Sequence, residues 1–322
     1  MVPPPSRRNR PHDKVFRKTF RRVAHARGVL RQLVGKDIAQ QLDWRSLRVE
    51  PGTYVEEALR DLMSDLLFSV RFRGSERRAL VYLLWDHQRQ PDRMMPLRLH
   101  NYGGRALYDY TQRRDAIPGY VPTLIPLLVY QGPGEWPGPY LLSELSQLPG
   151  EAAPPVLMDL SMIVHDLHDD SLPPSELTVL AKTTFGLMRL AALEELVLAN
   201  AARVAGWLDE VHETYGYDDY RTLMEYVAAA GKEVGMIEAV VEHTGEGVKK
   251  SAMSTLDWIR AKAQEEVFES FRALLLRQLE LRFGTVPARA RAKVRAATPA
   301  QLECWALRVI TAASLAEVLA KP

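Results

Sequence analysis

The chain contains one cysteine, Cys304, in 322 residues. An internal disulfide and a cysteine-rich zinc site are therefore excluded, and this usage fits a reducing compartment. No apolar run approaches the roughly 18 residues of a membrane-crossing helix, so no transmembrane segment is expected. The opening Met1 to Pro11 lacks the apolar stretch of a secretory signal. The expectation is a short disordered tail over 1–11 and a cytoplasmic protein. Charge of one sign is also lacking: 42 basic residues face 40 acidic ones, for a net charge of +2. That near balance says little about nucleic acid overall.

What is present suits a globular protein, with 47% apolar and 25% charged residues. The charge is unevenly spread. Residues 7–36 hold eleven Lys or Arg and a single acid, Asp13. Lys14, Arg17 and Lys18 lie in this stretch, which reads either as a phosphate-contacting surface or as a solvated helix face. Asp13 can cap one helix running from Lys14 to Leu33, with Gly35 ending it. An extended piece over 47–55 follows, then a strand around 65–72, a turn at Gly74-Ser75 and a strand over 79–88. The run Ala79 to Trp85 does not alternate, which predicts a central strand buried on both faces.

Residues 94–115 read as a helix, with Arg98, Asn101, Arg105, Asp109 and Gln112 on one stripe. Arg98 and Arg105 on that stripe could hold a phosphate; an ordinary solvated face is the competing reading. Val121 to Tyr130 is a strand in which Pro126 argues for an edge or a bulge, and Pro154 to Asp159 could add a short one. His165 and His168 with Asp166 read as a polar loop. From Ser175 onward strand signals vanish. Helices are expected near 175–208, 218–230, 232–243 and 251–283, with Gly284 ending the last. Thr298 and Ser314 each open a further helix. The division expected is 12–174 as a mixed α/β domain, 175–250 as a helical region and 251–322 as a helical C-terminal domain. Apolar faces on the C-terminal helices must bury against the core or against another chain, so a homo-oligomer through them is one expected assembly.

Chemistry concentrates in two strands. Asp65 and Asp86 sit in apolar strand sequence, where a carboxylate is costly without a partner. If the strands pair through the turn at Gly74, the two acids lie side by side near the end of the sheet. Two carboxylates suit Mg²⁺, with water and phosphate oxygens completing its shell. Gln88, two residues after Asp86, stands where a third group would orient the attacking water. On spacing alone, strand-end acids paired with arginines are the commoner case and remain the competing reading.

A resemblance adds to this reading. His12-Asp13-Lys14-Val15-Phe16-Arg17-Lys18, Glu50-Pro51-Gly52-Thr53-Tyr54-Val55-Glu56-Glu57, Ser64-Asp65-Leu66-Leu67, Tyr82 to Gln88, Pro91-Asp92 with Met95 to Leu99, and Ile125 to Tyr130 together resemble the Rpn family of recombination-promoting nucleases, often labelled putative transposases. The resemblance implies a restriction-endonuclease-like PD-(D/E)XK fold, a mixed sheet flanked by helices, followed here by an all-helical region. It implies Mg²⁺-dependent cleavage of DNA, with Mn²⁺ able to substitute, linked to recombination or mobile elements. Asp65 corresponds to the metal-binding acid, and Asp86 and Gln88 to the acid and amide of an E-x-Q motif. Asp86 departs from the family's usual Glu, and Gln88 from the Lys of the wider fold. Glu56 occupies a usually acidic position, either as a further ligand or as a solvated acid. The departures leave a rival: a degenerate nucleic-acid-binding or regulatory protein on the same fold. The segment Glu269 to Leu319 resembles a helical domain that often follows this core.

Overall fold

The computed structural model describes residues 11–50, 64–86, 91–113, 116–132, 134–145, 161–168 and 176–320. Glu56, Gln88, the expected strand at Pro154 to Asp159 and residues 1–10 of the expected tail lie outside them.

Where one N-terminal helix was expected there are two, α1 (Pro11–Phe20) and α2 (Val23–Leu33). Arg22 between them is extended, at φ −85° and ψ 112°. Both of its terminal nitrogens donate to the Asp219 carboxylate, at 2.8 and 2.7 Å. A distant ion pair therefore holds the break, which local periodicity could not disclose. α1 opens on Pro11, whose missing N–H costs nothing at that position. α2 buries Ala26, Val29, Leu30 and Leu33, the spacing of one helix face. A short α3 (Lys36–Gln41) leads into the sheet.

The sheet has five strands in sequence order: β1 (Leu42–Val49), β2 (Ser64–Phe72), β3 (Arg78–Asp86), β4 (Thr123–Tyr130) and β5 (Ile163–Asp166). β1, β2 and β3 pair antiparallel, whereas β3, β4 and β5 pair parallel. The β2–β3 turn uses Gly74 at φ +67°, the left-handed region that glycine enters without a Cβ penalty. β1 shifts register between Asp43 and Arg48. Leu80 to Leu84 of β3 are all buried, as a strand covered on both faces requires. β4 is interior to the sheet rather than at its edge, and its register with β3 runs without a bulge through Pro126. β5, however, pairs only from Leu127 onward. Among the described residues, one flank of β4 is thus open at Pro126, which is the local condition a proline needs.

Parallel β3 and β4 require a crossover, and α4 (Met95–Thr111) supplies it. Met95, Leu99, Tyr102, Ala106 and Tyr110 of α4 pack on Leu67, Leu80, Tyr82, Leu84, Leu128 and Tyr130 of the sheet. Gly103 permits this approach: a Cβ there would lie 2.2 Å from Leu124 Cδ2. α1 and α2 pack against β2 and β1.

The helices after the sheet are α5 (Val179–Ala192), α6 (Ala201–Tyr215), α7 (Tyr217–Ala230), α8 (Met236–His243), α9 (Glu246–Phe283), α10 (Ala288–Arg295), α11 (Pro299–Thr311) and α12 (Leu315–Val318). The chain forms two compact units, 1–252 and 253–322, with the boundary inside α9. The helices of 175–250 belong to the first unit together with the sheet. There α1 lies against α5 and α7: Phe20 meets Phe185 with ring centroids 5.1 Å apart, and Tyr226 and His12 share a 2.8 Å hydrogen bond. The second unit has its own core of Leu275, Leu279, Leu302, Trp305, Val309 and Val318. Its α11 starts at a capping box of Thr298 and Gln301, and its α12 at Ser314, both as expected.

Candidate active site

The site is built at the ends of the sheet's central strands. Asp65 of β2 stands opposite Leu84 of β3, and Asp86 lies two residues beyond Leu84. The two acids therefore occupy ladder positions of the same parity on adjacent strands, a diagonal relation of about 7–8 Å between backbones. Asp86 closes β3 and stands opposite Tyr130, the last residue of β4, which in turn stands opposite Asp166, the last residue of β5. The register thus brings Asp65 and Asp86 together at the carboxyl end of the parallel strands, where ligands bind in open α/β sheets.

Glu50 extends the same row. Its backbone N–H donates to Leu67 O at 2.8 Å, continuing the β1–β2 ladder and placing it one diagonal step from Asp65. Its side chain is only 3% exposed. One carboxylate oxygen accepts from Arg48 Nε at 2.9 Å, and the other from Arg113 Nη1 at 2.7 Å. Burial works against its charged form, but hydrogen bonds from Ser69, Arg113 and Arg48 outweigh that and hold the carboxyl below its ordinary range. The Ser69 hydroxyl also accepts from Arg48 Nε at 3.0 Å and Arg78 Nη1 at 2.9 Å. Sequence reading did not single out this hub. The signal available was the alternation of Arg48 and Glu50 along one strand face; Arg113, 63 residues away, had no local signature.

Other residues singled out in the sequence have different surroundings. Arg98 binds Asp92 at 2.6 Å and keeps a buried Nη2 without a hydrogen-bond partner among the described residues. Arg105 is mostly exposed and lies 3.5 Å from Asp109, one turn on. On α1, Lys14 pairs with Glu225. Lys18 donates to Asp218 O at 2.9 Å and to Thr222 Oγ1. These two lysines fasten α1 to α7, and Arg17 beside them is exposed. Asp166, expected in a loop, ends β5. It accepts from Trp136 N at 2.8 Å and from His168 N and Nδ1 at 3.0 and 2.7 Å, so its carboxylate is spent on the fold.

The donor types can be tested against a magnesium ion. Mg²⁺ takes one or two protein carboxylates and leaves its other positions to water and phosphate oxygen. Asp65 and Asp86, adjacent in the ladder at a strand end, suit that requirement. Glu50 does not suit it, since both its oxygens are committed to arginines. Among the described residues no group of three or more His, Cys, Asp or Glu forms a metal cluster, and no helix is long and apolar enough to cross a membrane.

Comparison with known proteins gives a consistent result. The family model described as putative transposase, YhgA-like, matches residues 10–198. The recombination-promoting nuclease RpnD of Escherichia coli O157:H7 is 27% identical over 241 residues, covering 73% of this chain and 87% of the relative. The recombination-promoting nuclease RpnA of Escherichia coli K12 is 25% identical over 265 residues, 79% of this chain and 85% of its own. RpnE of the same strain, described as an inactive recombination-promoting nuclease-like protein, is 27% identical over 189 residues, 58% of this chain and 57% of its own. No solved structure matches.

Proposed function

Since the chain belongs to the YhgA-like putative transposase family, we propose that it is a nuclease that hydrolyses phosphodiester bonds in DNA and needs Mg²⁺, with Mn²⁺ as a substitute. The proposed fold of 12–174 is the PD-(D/E)XK core. The order of three antiparallel strands, a crossover helix and a parallel fourth strand supports it. The observation that carries the functional reading is the β2–β3 register, which puts Asp65 and Asp86 on adjacent positions at the strand ends.

Asp65 and Asp86 would hold the ion, and Glu56 is a further proposed ligand. When bound, the ion supplies charge neutralisation and lowers the pKa of water. Gln88 orients the attacking water through its amide and takes no proton, because an amide is no base at neutral pH. Arg98, whose buried Nη2 has no hydrogen-bond partner among the described residues, is proposed as a phosphate donor. Arg105 and Arg17, both exposed, complete the proposed DNA contacts, whereas Lys14 and Lys18, expected among them, are engaged with α7. A second reading, a degenerate DNA-binding protein, is favoured by two observations: Asp86 is shorter by a methylene than the Glu of the family motif, and a relative is named inactive.

A plasmid-nicking assay with purified protein decides between them. Conversion of supercoiled to open-circular DNA with Mg²⁺ but not with EDTA is expected. Equal nicking in EDTA sinks the metal mechanism, and none under either condition leaves the second reading.

A further inference from the structure

Positive charge is not shared evenly between the two units. Residues 253–322 hold eleven Lys or Arg against seven Asp or Glu, a net charge of +4, and the whole chain's +2 leaves −2 for residues 1–252. Within the second unit the imbalance is sharpest at α10, whose eight residues carry Arg289, Arg291, Lys293 and Arg295 and no acid. From residue 281 to residue 302 no Asp or Glu occurs at all.

The helix turns these cations outward. Ala290, Val294 and Ala297, spaced as one helix face, pack into the core of the second unit. The opposite crest is an exposed stripe of Ala288, Ala292 and Ala296. By helical geometry Arg291 and Arg295 flank that crest on one side, and Arg289 and Lys293 on the other. Two of the four cations are tied to the fold. Arg291 meets Glu280 at 2.9 Å and donates to Val286 O at 3.1 Å. Lys293 donates to Leu319 O and lies over the Trp305 ring. Arg289 and Arg295 are exposed and have no partner among the described residues.

The electrostatics of the helix itself oppose this arrangement. Arg289 stands in the first turn, where the macrodipole disfavours a cation, and that turn has no acid to offset it. Arg289 with Lys293, and Arg291 with Arg295, are like-charge pairs one turn apart, which destabilise a helix. Charge and dipole agree only at the last turn. A polyanion laid along the outer face relieves both penalties. The low alanine crest lets it come close, and a shallow, open depression of about 450 Å³ lies along Ala288, Arg291, Ala292, Arg295 and Ala296.

We propose that the outer face of α10 is a docking surface for the phosphate backbone of duplex DNA, carried by the second unit. This rests on the nuclease reading for the identity of the polyanion, but the surface uses no residue of the proposed active site. Guanidinium groups bind phosphate oxygens in paired hydrogen bonds, and Arg289 and Arg295 are the two that nothing else engages. Contacts of this kind fix position on the duplex and carry no base sequence.

Binding can be measured apart from cleavage. The full chain is titrated into a fluorescently labelled duplex in EDTA, and anisotropy is followed across a salt series. Arg289→Gln combined with Arg295→Gln should weaken binding roughly 10-fold and reduce the salt slope by about 0.9 for each phosphate no longer neutralised. Gln forms helix about as well as Arg, so Tm should hold; if the pair melts early, each single Gln variant is read instead, with half the change in slope. Arg289→Lys with Arg295→Lys keeps both charges and should keep the slope. Lys36→Gln with Lys250→Gln removes two exposed charges from the first unit, neither a proposed DNA contact, and should leave the slope as it is. Wild-type affinity and slope in the folded Gln variant overturn the proposal. So does an equal loss of slope in the Lys variant or in the Lys36 and Lys250 control, or absence of DNA binding by the wild type. Displacement of the duplex by an equal charge of polyglutamate, as readily as by unlabelled duplex, overturns it too and assigns the face to an acidic protein. A wild type that binds through α10 yet never nicks with Mg²⁺ keeps the surface and removes the nuclease reading alone. One that nicks while the Gln variant binds unchanged does the reverse.

Discussion

Replacing Glu50 by glutamine removes one buried negative charge and leaves Arg48 and Arg113 facing each other across a neutral amide. The side chain is 3% exposed and its two oxygens accept from two different arginines. Removing one partner of a buried pair costs about 3–5 kcal/mol. Arg48 is 44% exposed, so water screens part of the loss, and a cost of about 2–3 kcal/mol is expected. For a unit of this size that corresponds to a fall in Tm of roughly 4–12 °C. The loss should depend on pH in a stated direction. The folded-state pKa of Glu50 is depressed below its ordinary 4.5. Its stabilisation is therefore fully present above that value and fades as pH falls through the lower folded-state pKa. Urea unfolding of wild type and Glu50→Gln should show a constant gap from pH 7 to about 5, narrowing below about 4.5. A gap that stays constant under further acidification would show that shape, rather than charge, accounts for Glu50. No gap at pH 7 would refute the hub altogether.

Asp65→Ala should abolish plasmid nicking while Tm without metal holds or rises, because the substitution relieves repulsion with Asp86; Mg²⁺ should then raise Tm in the wild type more than in the variant, as read by thermal shift. Gln88→Ala should slow cleavage by roughly 10²-fold, whereas Gln88→Lys should retain it, and single-turnover rates separate the two. Truncation after residue 174 follows the boundary expected from sequence, yet it strips α1 of Phe185, Tyr226 and Asp219. The product should be insoluble, and a soluble, cooperatively melting fragment would contradict the packing described.

The unalternating run of β3, the glycine turn before it, the crossover helix and the caps at Thr298 and Ser314 were legible because each rests on neighbours within a few residues. The acid pair was legible for a related reason. A short hairpin leaves few registers, and the one adopted sets Asp65 opposite Leu84, two residues before Asp86. What stayed hidden depends on distant partners. The break at Arg22 is held by Asp219, 197 residues on. The charge of Glu50 is balanced by Arg113 from the far side of the crossover. β5 hides because Ile163 to Asp166 is too short and polar to show a strand pattern, and only Leu127 to Tyr130 beside it makes it one. Pro126 misled for the same reason: the open flank it needs is created by where β5 begins.

The interlock of α1 with α7 also bears on how the chain is made. α1 leaves the ribosome before the rest of its unit, yet Asp219, Thr222 and Glu225, which fasten it, are added about 200 residues later. At ordinary synthesis rates that delay is roughly 10 to 40 s. Throughout it Phe16 and Phe20 lack part of the surface that finally covers them. The first unit therefore completes itself only after its last helices arrive, and until then its earliest helix offers an apolar face to any chaperone waiting at the exit tunnel.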